Sequence, residues 1–494
     1  MLLQPLTSTI QPTLESLGSR VAPSWFDEAK FGIFIHWGVF AIPAFGEHFG
    51  DISAVFKHDY DRAVVRSPYS EWYQNAIRVP GTAAHTFHQE TFNGAPYTDF
   101  KQPFVDGLKH WDPDAWAETF KKSGARYVVL VTKHHDGFCL WPSAVHNPHL
   151  DHWYTERDIV GELAAAVRRA GLKFGVYYSG GIDWSFNKKP VSTLGDFVGS
   201  VPGGNYGAYA TAQVRELIER YEPSVLWNDI AWPTNLSSLL ELFASYYNRV
   251  PDGVVNDRWL HATWYMKALR TKLGRRVFDA LAKRALAKSA GNQKGVVPPP
   301  IPHSDFRTPE YTVFPDIQAK KWEATRGMSH SFGFNRNDKP DDYEPAHALL
   351  HGFIDAVSKN GNLLLNVGPR GVDGGIPVEQ LDRLNCFGDW LSKNGHAIYG
   401  TRPWKISDAK TGCGLDVRFT TSGGDLHVIL LGTPSAEELV LKDVILAEKP
   451  GRMNDGAPVT VERRGNDSVL RLHSVLPDAA AHALTFALPD PDMD

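Results

Sequence analysis

The sequence has few cysteines, no long apolar run and no excess of positive charge, and each lack excludes a class of protein. Its three cysteines, Cys139, Cys386 and Cys413, lie far apart, so neither a disulfide framework nor metal-type spacing is present. No stretch of 18 apolar residues occurs, and we expect no membrane span. Because the net charge is −5, we expect no nucleic-acid partner.

The first residues also lack the basic and apolar segments of a signal peptide. We therefore expect a soluble cytoplasmic protein, or a periplasmic or secreted one if a leader has been removed. With 494 residues, the chain is long enough for a large catalytic domain and a smaller companion. The 15 Trp and 17 Tyr are plentiful, and such rings often form platforms for sugars, although more often they pack in the core.

Between about residues 25 and 400, short apolar runs alternate with helical patterns. The predicted strands are residues 31–37, 126–133, 173–178, 224–228, 253–257, 329–334 and 362–367. The clearest predicted helices are residues 159–170, 209–221, 236–248, 346–359 and 378–394. This α/β alternation predicts a parallel sheet, and seven or more units favour a (β/α)₈-like barrel. The barrel is imperfect, because residues 50–106 do not read as strand and helix.

After Trp404 the pattern changes to short, alternating, turn-separated segments, which are typical of an antiparallel β-sandwich. We therefore predict a catalytic barrel over residues 1–404 and a C-terminal β-sandwich over residues 405–494. Residues 260–304 form an insertion with a basic amphipathic helix pattern. Such a helix can lie on a membrane or an acidic partner, and packing on its own barrel is the simpler interpretation.

Polar residues follow the predicted barrel strands, where active sites of this architecture lie. They are His36, the pair His134 and His135, Tyr177, Asp229 and Arg258. A single such residue would be unremarkable, but a polar residue after five strands indicates one convergent site.

The three histidines raise the alternative of a metal-dependent hydrolase built on His36, His134 and His135. Neighbouring residues of a strand point to opposite faces, so His134 and His135 would need a bend to share an ion. The helical HExxH spacing is also absent, and we expect no metal and no cofactor. We expect the imidazoles to bind sugar hydroxyl groups instead, between walls formed by Phe34, Trp72, Trp227 and Phe332.

A polar pocket with an ionised carboxylate suits glycoside hydrolysis, which uses two carboxyl groups. Asp229 ends a β-prone run and is the candidate nucleophile; the alternative is an N-cap of the next helix. No Glu occurs between Glu241 and Glu310, so Glu310 is the candidate acid/base. Its aromatic neighbour Tyr311 would favour the protonated form, although a solvated loop position is the alternative. Arg258 would keep a carboxylate ionised or would brace the barrel.

The motifs of residues 25–404 resemble glycoside hydrolase family 29, the α-L-fucosidases, of the barrel-plus-sandwich type. The matching segments occur in order, at residues 25–38, 69–73, 132–138, 175–179, 226–229, 255–259, 331–335 and 362–369. The resemblance implies a retaining exo-hydrolase of terminal α-L-fucosyl residues of glycans or fucosides. Asp229 aligns with the nucleophile of the family.

The resemblance also assigns sugar contacts, to His36, Glu71, Trp72, His134, His135, Tyr177 and Arg258. Phe34 and Phe332 would then face the C5 methyl group of fucose. The interval between Arg258 and Glu310 is longer than in similar bacterial members, because the basic helix is inserted there. The inserted segment could therefore restrict the leaving group, act as a lid, or form a contact in a homo-oligomer.

Several alternatives remain open from the sequence. Glu71 could serve as acid/base in place of Glu310. The same chemistry could act on a related sugar such as an α-L-galactoside, and a non-catalytic sugar-binding protein is a further alternative. The presence of both Asp229 and Glu310 counts against the last of these.

Overall fold

The computed structural model describes residues 9–48, 64–263, 268–288, 297–454, 456–474 and 476–489. Its α-helices are α1 Leu14–Gly18, α2 Ser24–Ala29, α3 Tyr73–Ala76, α4 Ala83–Phe92, α5 Lys101–Gly107, α6 Pro113–Lys122, α7 Ile159–Arg169, α8 Leu194–Val198, α9 Tyr206–Tyr221, α10 Leu236–Arg249, α11 Lys272–Lys288, α12 Ala346–Ser358 and α13 Val378–Asn394. Short 3₁₀ helices occupy Val39–Ala41, Ser70–Trp72, Tyr97–Phe100, Leu108–His110, Pro340–Asp342 and Gly395–Ala397. In the described part of the chain, no helix is both long and apolar enough to cross a membrane.

The strands fall into two sheets. The first contains β1 Phe31–Ile35, β2 Tyr127–Lys133, β3 Lys173–Ser179, β4 Val225–Asp229, β5 Val254–Val255, β6 Trp322–Arg326 and β7 Gly361–Val367. The second contains β8 Arg402–Lys410, β9 Asp416–Ser422, β10 Asp425–Leu430, β11 Glu438–Leu441, β12 Gly451–Met453, β13 Pro458–Arg464, β14 Asp467–Leu472 and β15 His482–Ala487.

The first sheet is parallel throughout, in the order β5-β4-β3-β2-β1-β7-β6. Alternate residues of its strands enter two different cores. On β1, Phe34 joins an inner cluster, whereas Ile33 and Ile35 join the outer cluster formed with the helices. Both faces of the sheet are therefore buried, as expected when helices cover a curled parallel sheet.

Residues 305–311, which we call the closing segment, fill the gap between β5 and β6. On one side Asp305 N donates to Val255 O (2.9 Å). On the other side Glu323 N donates to Arg307 O (2.8 Å) and Tyr311 N to Thr325 O (3.0 Å). The segment takes the eighth position of the ring, and the predicted (β/α)₈-like barrel is confirmed.

One predicted strand of the barrel is wrong. Residues 329–334 form a loop, and the strand lies earlier, at Trp322–Arg326. The sequence does not indicate this strand, because it carries the charged residues Glu323 and Arg326. The Glu323 carboxylate is fully buried inside the barrel, where it accepts hydrogen bonds from Tyr127 and Trp227. Of residues 329–334, Phe332 lines the cavity at the carboxyl ends of the barrel strands.

The C-terminal part has the short antiparallel strands of the predicted β-sandwich, and its eight strands follow the order β11-β14-β13-β12-β15-β10-β9-β8. They form one continuous sheet around a separate apolar core. A bridge between Thr411 and Leu441 brings the two outer strands together, so the sheet is a nearly closed barrel. Its first strand begins at Arg402. Trp390 Nε1 of α13 donates to Ala481 O (2.9 Å) across the contact with the first barrel.

Helix α11, within the predicted insertion, packs against the short helix α8. The apolar face of the predicted amphipathic helix includes Leu273, Val277 and Leu281. These side chains do not make the contact, because they are 73%, 52% and 58% exposed. The contact is instead polar, and it involves Arg275 and Asp279. The helix therefore packs on its own barrel domain, the simpler interpretation of the sequence, but ionic and hydrogen-bonding groups hold it there and the exposed apolar side chains do not.

Candidate active site

A cavity of about 250 Å³ opens at the carboxyl ends of the barrel strands. This volume lies below the roughly 300–1,000 Å³ of pockets for drug-sized ligands, and so suits a single small unit. The structure brings every predicted site residue to its lining: Phe34, His36, Glu71, Trp72, His134, His135, Tyr177, Trp227, Asp229, Arg258, Glu310 and Phe332. Sequence reasoning missed Val64, Ser67, Tyr69, Leu194, Phe197 and Ile230, which also line it.

Asp229 is the last residue of β4, and its carboxylate is held from two sides. Tyr177 Oη donates to Oδ2 (2.8 Å), and Arg258 Nη1 donates to Oδ1 (3.1 Å). Burial alone would raise the pKa of Asp229, but Arg258, with His135 and Tyr177, lowers it below its usual range. The next helix, α10, is capped by Asn235. Asp229 is therefore an ionised cavity carboxylate and does not cap that helix.

The backbone after Asp229 turns sharply. Ile230 has φ of 71°, in the left-handed region that β-branched residues rarely enter. Gly181, just past β3, packs against this turn: its N–H donates to Asp229 O (3.2 Å). A Cβ atom at Gly181 would lie 2.6 Å from Ala231 N. The absence of a side chain at Gly181 therefore lets the turn approach β3 closely.

Glu310 lies on the closing segment and faces Asp229 across Arg258. Its Oε1 lies 2.7 Å from Arg258 Nη1, the atom that also contacts Asp229 (3.1 Å). These two oxygens are therefore at most about 6 Å apart, which agrees with the ~5–5.5 Å between the carboxyl groups of retaining glycosidases and is shorter than the ~6.5–9.5 Å of inverting ones.

The surroundings shift the pKa values of the two carboxyl groups in opposite directions. Burial raises the pKa of Glu310, the charge of Asp229 adds to this, and Arg258 only partly opposes it. At Asp229 the effect of Arg258 wins, and the pKa falls. Two neighbouring carboxyl groups whose pKa values are pushed apart are what a nucleophile and an acid/base require.

Arg258 also ties the closing segment to the end of β5. Its Nε donates to Thr308 Oγ1 (2.9 Å) and its Nη2 to Thr308 O (3.0 Å). Asp257 Oδ1 accepts from Thr308 N (3.0 Å) and Oγ1 (2.6 Å). We call these four hydrogen bonds the Thr308 clamp. It keeps Glu310 next to Arg258 despite the long interval between them in the sequence.

Glu71 is a second protonatable carboxyl group of the cavity. It lies in the 3₁₀ turn Ser70–Trp72, and its Oε2 accepts from Gly333 N (2.9 Å). Burial, with a contribution from Glu310, raises its pKa to about 7. Arg258 forms ion pairs with Asp229 and Glu310. The carboxyl group that shares a cation with Asp229 is therefore that of Glu310 and not that of Glu71.

Hydrogen bonds fix the tautomers of two cavity histidines. Asn366 donates its Nδ2 to Phe332 O (2.5 Å), so its Oδ1 accepts from His36 Nδ1 (2.6 Å). Ser179 Oγ donates to Ile182 O (2.7 Å), and it therefore accepts from His135 Nδ1 (2.6 Å). In both rings Nε2 is left as an acceptor.

The cavity histidines are neutral. Burial lowers the pKa of His36 to about 3 and that of His135 to about 4, and it lowers the pKa of His134 strongly. His134 Nδ1 is buried and has no hydrogen-bond partner among the described residues. Neutral rings with free acceptors suit the hydroxyl groups of a sugar.

His134 and His135 both reach the cavity, with ring centroids 4.0 Å apart. The bend that this requires is present, because β2 ends at Lys133 after a register shift between Val131 and Lys133. Strand alternation does not extend into the turn that follows. Within the described residues, the side chains that converge as metal ligands are His48, Asp338 and Asp342, which form a different group.

Aromatic rings line the inner wall of the cavity. The centroid of Phe34 lies 4.6 Å from that of His36 and 5.2 Å from that of Trp227. Phe332 lies 4.9 Å from His36 on the other side. The inner wall therefore combines an apolar surface with polar atoms at its edges, an arrangement that suits a sugar with an apolar substituent.

Comparisons with known proteins agree on one family. A family profile described as Alpha-L-fucosidase matches residues 3–396. The tissue alpha-L-fucosidase of Bos taurus is 31% identical over 442 residues, which cover 86% of this chain and 78% of that protein. The alpha-L-fucosidase of Dictyostelium discoideum is 30% identical over 453 residues, covering 88% and 83%.

Solved structures give the same result. An alpha-L-fucosidase structure matches with a TM-score of 0.83 and 38% identity, covering 97% of this chain and 99% of its own. The alpha-fucosidase of Thermotoga maritima in complex with a mechanism-based inhibitor matches with a TM-score of 0.80 and 38% identity, covering 97% and 99%. The likeness thus spans both the first barrel and the C-terminal sheet.

Proposed function

This chain belongs to the alpha-L-fucosidase family of glycoside hydrolases, and on that premise we propose that Asp229 is its nucleophile and Glu310 its acid/base. The protein is a retaining exo-glycosidase that hydrolyses terminal α-L-fucosyl residues. The observation that carries the assignment of residues is the contact of Arg258 Nη1 with both carboxyl groups. The pKa of Asp229 is lowered and that of Glu310 is raised.

In the first step, an oxygen of Asp229 attacks C1 of the fucosyl unit as the bond from C1 to the glycosidic oxygen breaks. Glu310 gives its proton to that oxygen, and the leaving group departs as an alcohol. Asp229 is then an ester and has lost its charge, so Arg258 interacts with Glu310 alone. The pKa of Glu310 falls as a result, because the neighbouring negative charge has gone.

In the second step, Glu310 takes a proton from a water molecule, and the water oxygen attacks C1. The ester bond to Asp229 breaks, fucose is released, and Glu310 is protonated again. Two inversions at C1 give net retention. The loss of the Asp229 charge in step one thus prepares Glu310 to act as a base in step two.

Recognition of fucose follows from the lining of the cavity. We propose that the neutral His36, His134 and His135 bind sugar hydroxyl groups, and that Phe34 and Phe332 contact the C5 methyl group. Glu71, Trp72, Tyr177, Trp227 and Arg258 complete the set of proposed sugar contacts. An α-L-galactoside would bring a hydroxymethyl group against the two phenylalanines, and a buried hydroxyl group without a partner costs about 1–3 kcal/mol. Hydrolysis of fucosides over galactosides is the expected preference.

The nucleophile is tested by replacing Asp229 with Ala. We expect D229A to lose hydrolysis of an aryl fucoside and to recover turnover with azide, giving the β-fucosyl azide because only one inversion occurs. D252A serves as a control, since Asp252 is a surface acid with a 47% exposed side chain. Ordinary activity in D229A, or an α-fucosyl azide as product, would contradict the assignment.

The acid is tested by comparing E310A with E71A on fucosides of differing leaving-group pKa. Without its acid, the enzyme depends more steeply on leaving-group pKa, because the departing oxygen leaves unprotonated. We expect the steeper dependence in E310A, with a loss of about 10²–10⁴-fold on poor leaving groups. If E71A showed the steeper dependence, Glu71 would be the acid.

A further inference from the structure

The partly exposed part of the cavity lining, which we call its rim, includes two apolar side chains of α8 beside Tyr69, Trp72, Ile230 and the two carboxyl groups. Leu194 and Phe197 of this helix are half-buried and line the same cavity as the two carboxyl groups. The Phe197 ring lies parallel to Trp72, with 6.0 Å between ring centroids and an interplanar angle of 26°. By contrast, Phe34 and Tyr177 of the inner wall are fully buried.

The inserted segment holds α8 in this position. Asp279 of α11 accepts from Gly195 N through Oδ1 (2.7 Å) and from Thr193 Oγ1 through Oδ2 (2.9 Å). Arg275 Nε lies 2.9 Å from Asp196 Oδ1. The helices meet closely at Gly195, where a Cβ atom would lie 2.7 Å from Arg275 O. These contacts fix the backbone that carries Leu194 and Phe197.

The position of the rim decides what it can contact. An exo-hydrolase places the terminal sugar at the closed end of its pocket, so the leaving group alone extends towards the opening. The side chains available to the leaving group are therefore the partly exposed ones of the lining. Aromatic faces bind the C–H faces of pyranose rings by the same burial of apolar surface that stabilises aromatic packing.

We propose that Leu194, Phe197 and Trp72 form a subsite for the sugar that carries the fucosyl group. Its ligand is a pyranose with an apolar C–H face, and α11 positions it through Asp279. The inserted segment thus sets leaving-group preference without contacting the reacting atoms. This inference rests on the proposed function, because it concerns the leaving group of the same reaction.

The subsite is tested by comparing two substrates: a fucosyl disaccharide, which fills it, and α-L-fucosyl fluoride, which has no sugar leaving group. The measured quantity is the kcat/KM of the disaccharide divided by that of the fluoride. We expect F197A to lower this ratio about two- to tenfold, the range of an aromatic contact. An unchanged ratio in F197A would overturn the subsite.

The role of α11 is tested with D279A, in which Asp279 no longer holds Gly195 and Thr193. We expect the same ratio to fall in D279A and the inhibition constant of free fucose to stay as in the wild type. R276A is the control, since Arg276 lies exposed on the same helix, and its ratio should equal that of the wild type. Equal losses on both substrates and on fucose binding in D279A would show general damage to the fold and would contradict the positioning role.

Different results would contradict the proposed function and the subsite. A wild-type protein that hydrolyses neither substrate would contradict the proposed function itself. A wild-type protein that hydrolyses both, combined with an F197A ratio equal to its own, would contradict the subsite alone.

Discussion

Replacement of Arg258 by Met is expected to move the acid limb of the pH–rate profile to higher pH. Arg258 Nη1 lies 3.1 Å from Asp229 and 2.7 Å from Glu310, and it is the main cause of the lowered pKa of Asp229. Hydrolysis requires Asp229 ionised, so the rate rises with pH through the pKa of Asp229. Without the guanidinium, that pKa rises, and the ionised form appears only at higher pH.

The size of the effect follows from the distances. Two unit charges about 4 Å apart interact by about 4 kcal/mol at an effective dielectric constant of about 20. Each pH unit corresponds to about 1.4 kcal/mol, so the full interaction equals about three units. Water that enters the space left by the side chain will reduce this, and the usual effect of a neighbouring cation is about one to three units. We expect the acid limb to move by that amount.

The assay is kcat/KM for an activated aryl fucoside, measured across the pH range for the wild type, R258M and R258K. R258K keeps a positive charge while losing the fork of donors, so its rate should fall but its acid limb should stay near that of the wild type. Both variants lose the contacts with Thr308, and their thermal unfolding should be compared. If R258M and the wild type shared one acid limb, the electrostatic role of Arg258 would be refuted.

Three further substitutions test the surroundings of the nucleophile and the scaffold. Y177F removes the 2.8 Å hydrogen bond to Asp229 Oδ2, and since bonds to charged groups contribute about 1.5–3 kcal/mol, kcat/KM should fall about ten- to a hundredfold; an unchanged value would contradict that contact. G181A places a Cβ atom 2.6 Å from Ala231 N, so it should reduce kcat/KM by displacing the turn after Asp229, and full activity would show that the turn yields easily. In G352A, the new Cβ atom within α12 meets nothing within 4 Å; it should raise the free energy of unfolding by about 0.5–1 kcal/mol, measured by urea denaturation, with activity unchanged.

Much of the first barrel could be predicted because its strands are apolar and end in polar residues. The run before His36 and the run before Asp229 both behave as predicted, since a buried parallel strand needs continuous apolar side chains. An apolar pattern does not predict a strand that carries a buried charge, as β6 does at Glu323. The Glu323 carboxylate accepts hydrogen bonds from residues distant in the sequence. The sequence also does not indicate strand β8. Most of its residues are exposed or half-exposed, so apolar and polar residues do not alternate clearly along it.

The inner part of the cavity could be predicted from strand ends, but its rim could not. Leu194 and Phe197 carry no polar atom and lie in a long connection after β3, so the sequence marks them as ordinary apolar residues. Their position depends on Asp279, more than eighty residues further on. The sequence places His134 and His135 in one site, but the bend that lets both side chains reach it depends on where β2 ends.

The Thr308 clamp has a consequence for how this enzyme type diversifies. Four hydrogen bonds join Asp257 and Arg258 to Thr308, at the two ends of the long interval before the closing segment. The chain between these ends can therefore vary in length without displacing Arg258 or Glu310. The entropy of closing a loop grows only slowly, by about 0.6 kcal/mol for each doubling. A change of length in the interval from Arg258 to Glu310 therefore costs little and leaves Glu310 where the Thr308 clamp holds it, so enzymes of this type can differ in this interval while keeping one pair of carboxyl groups.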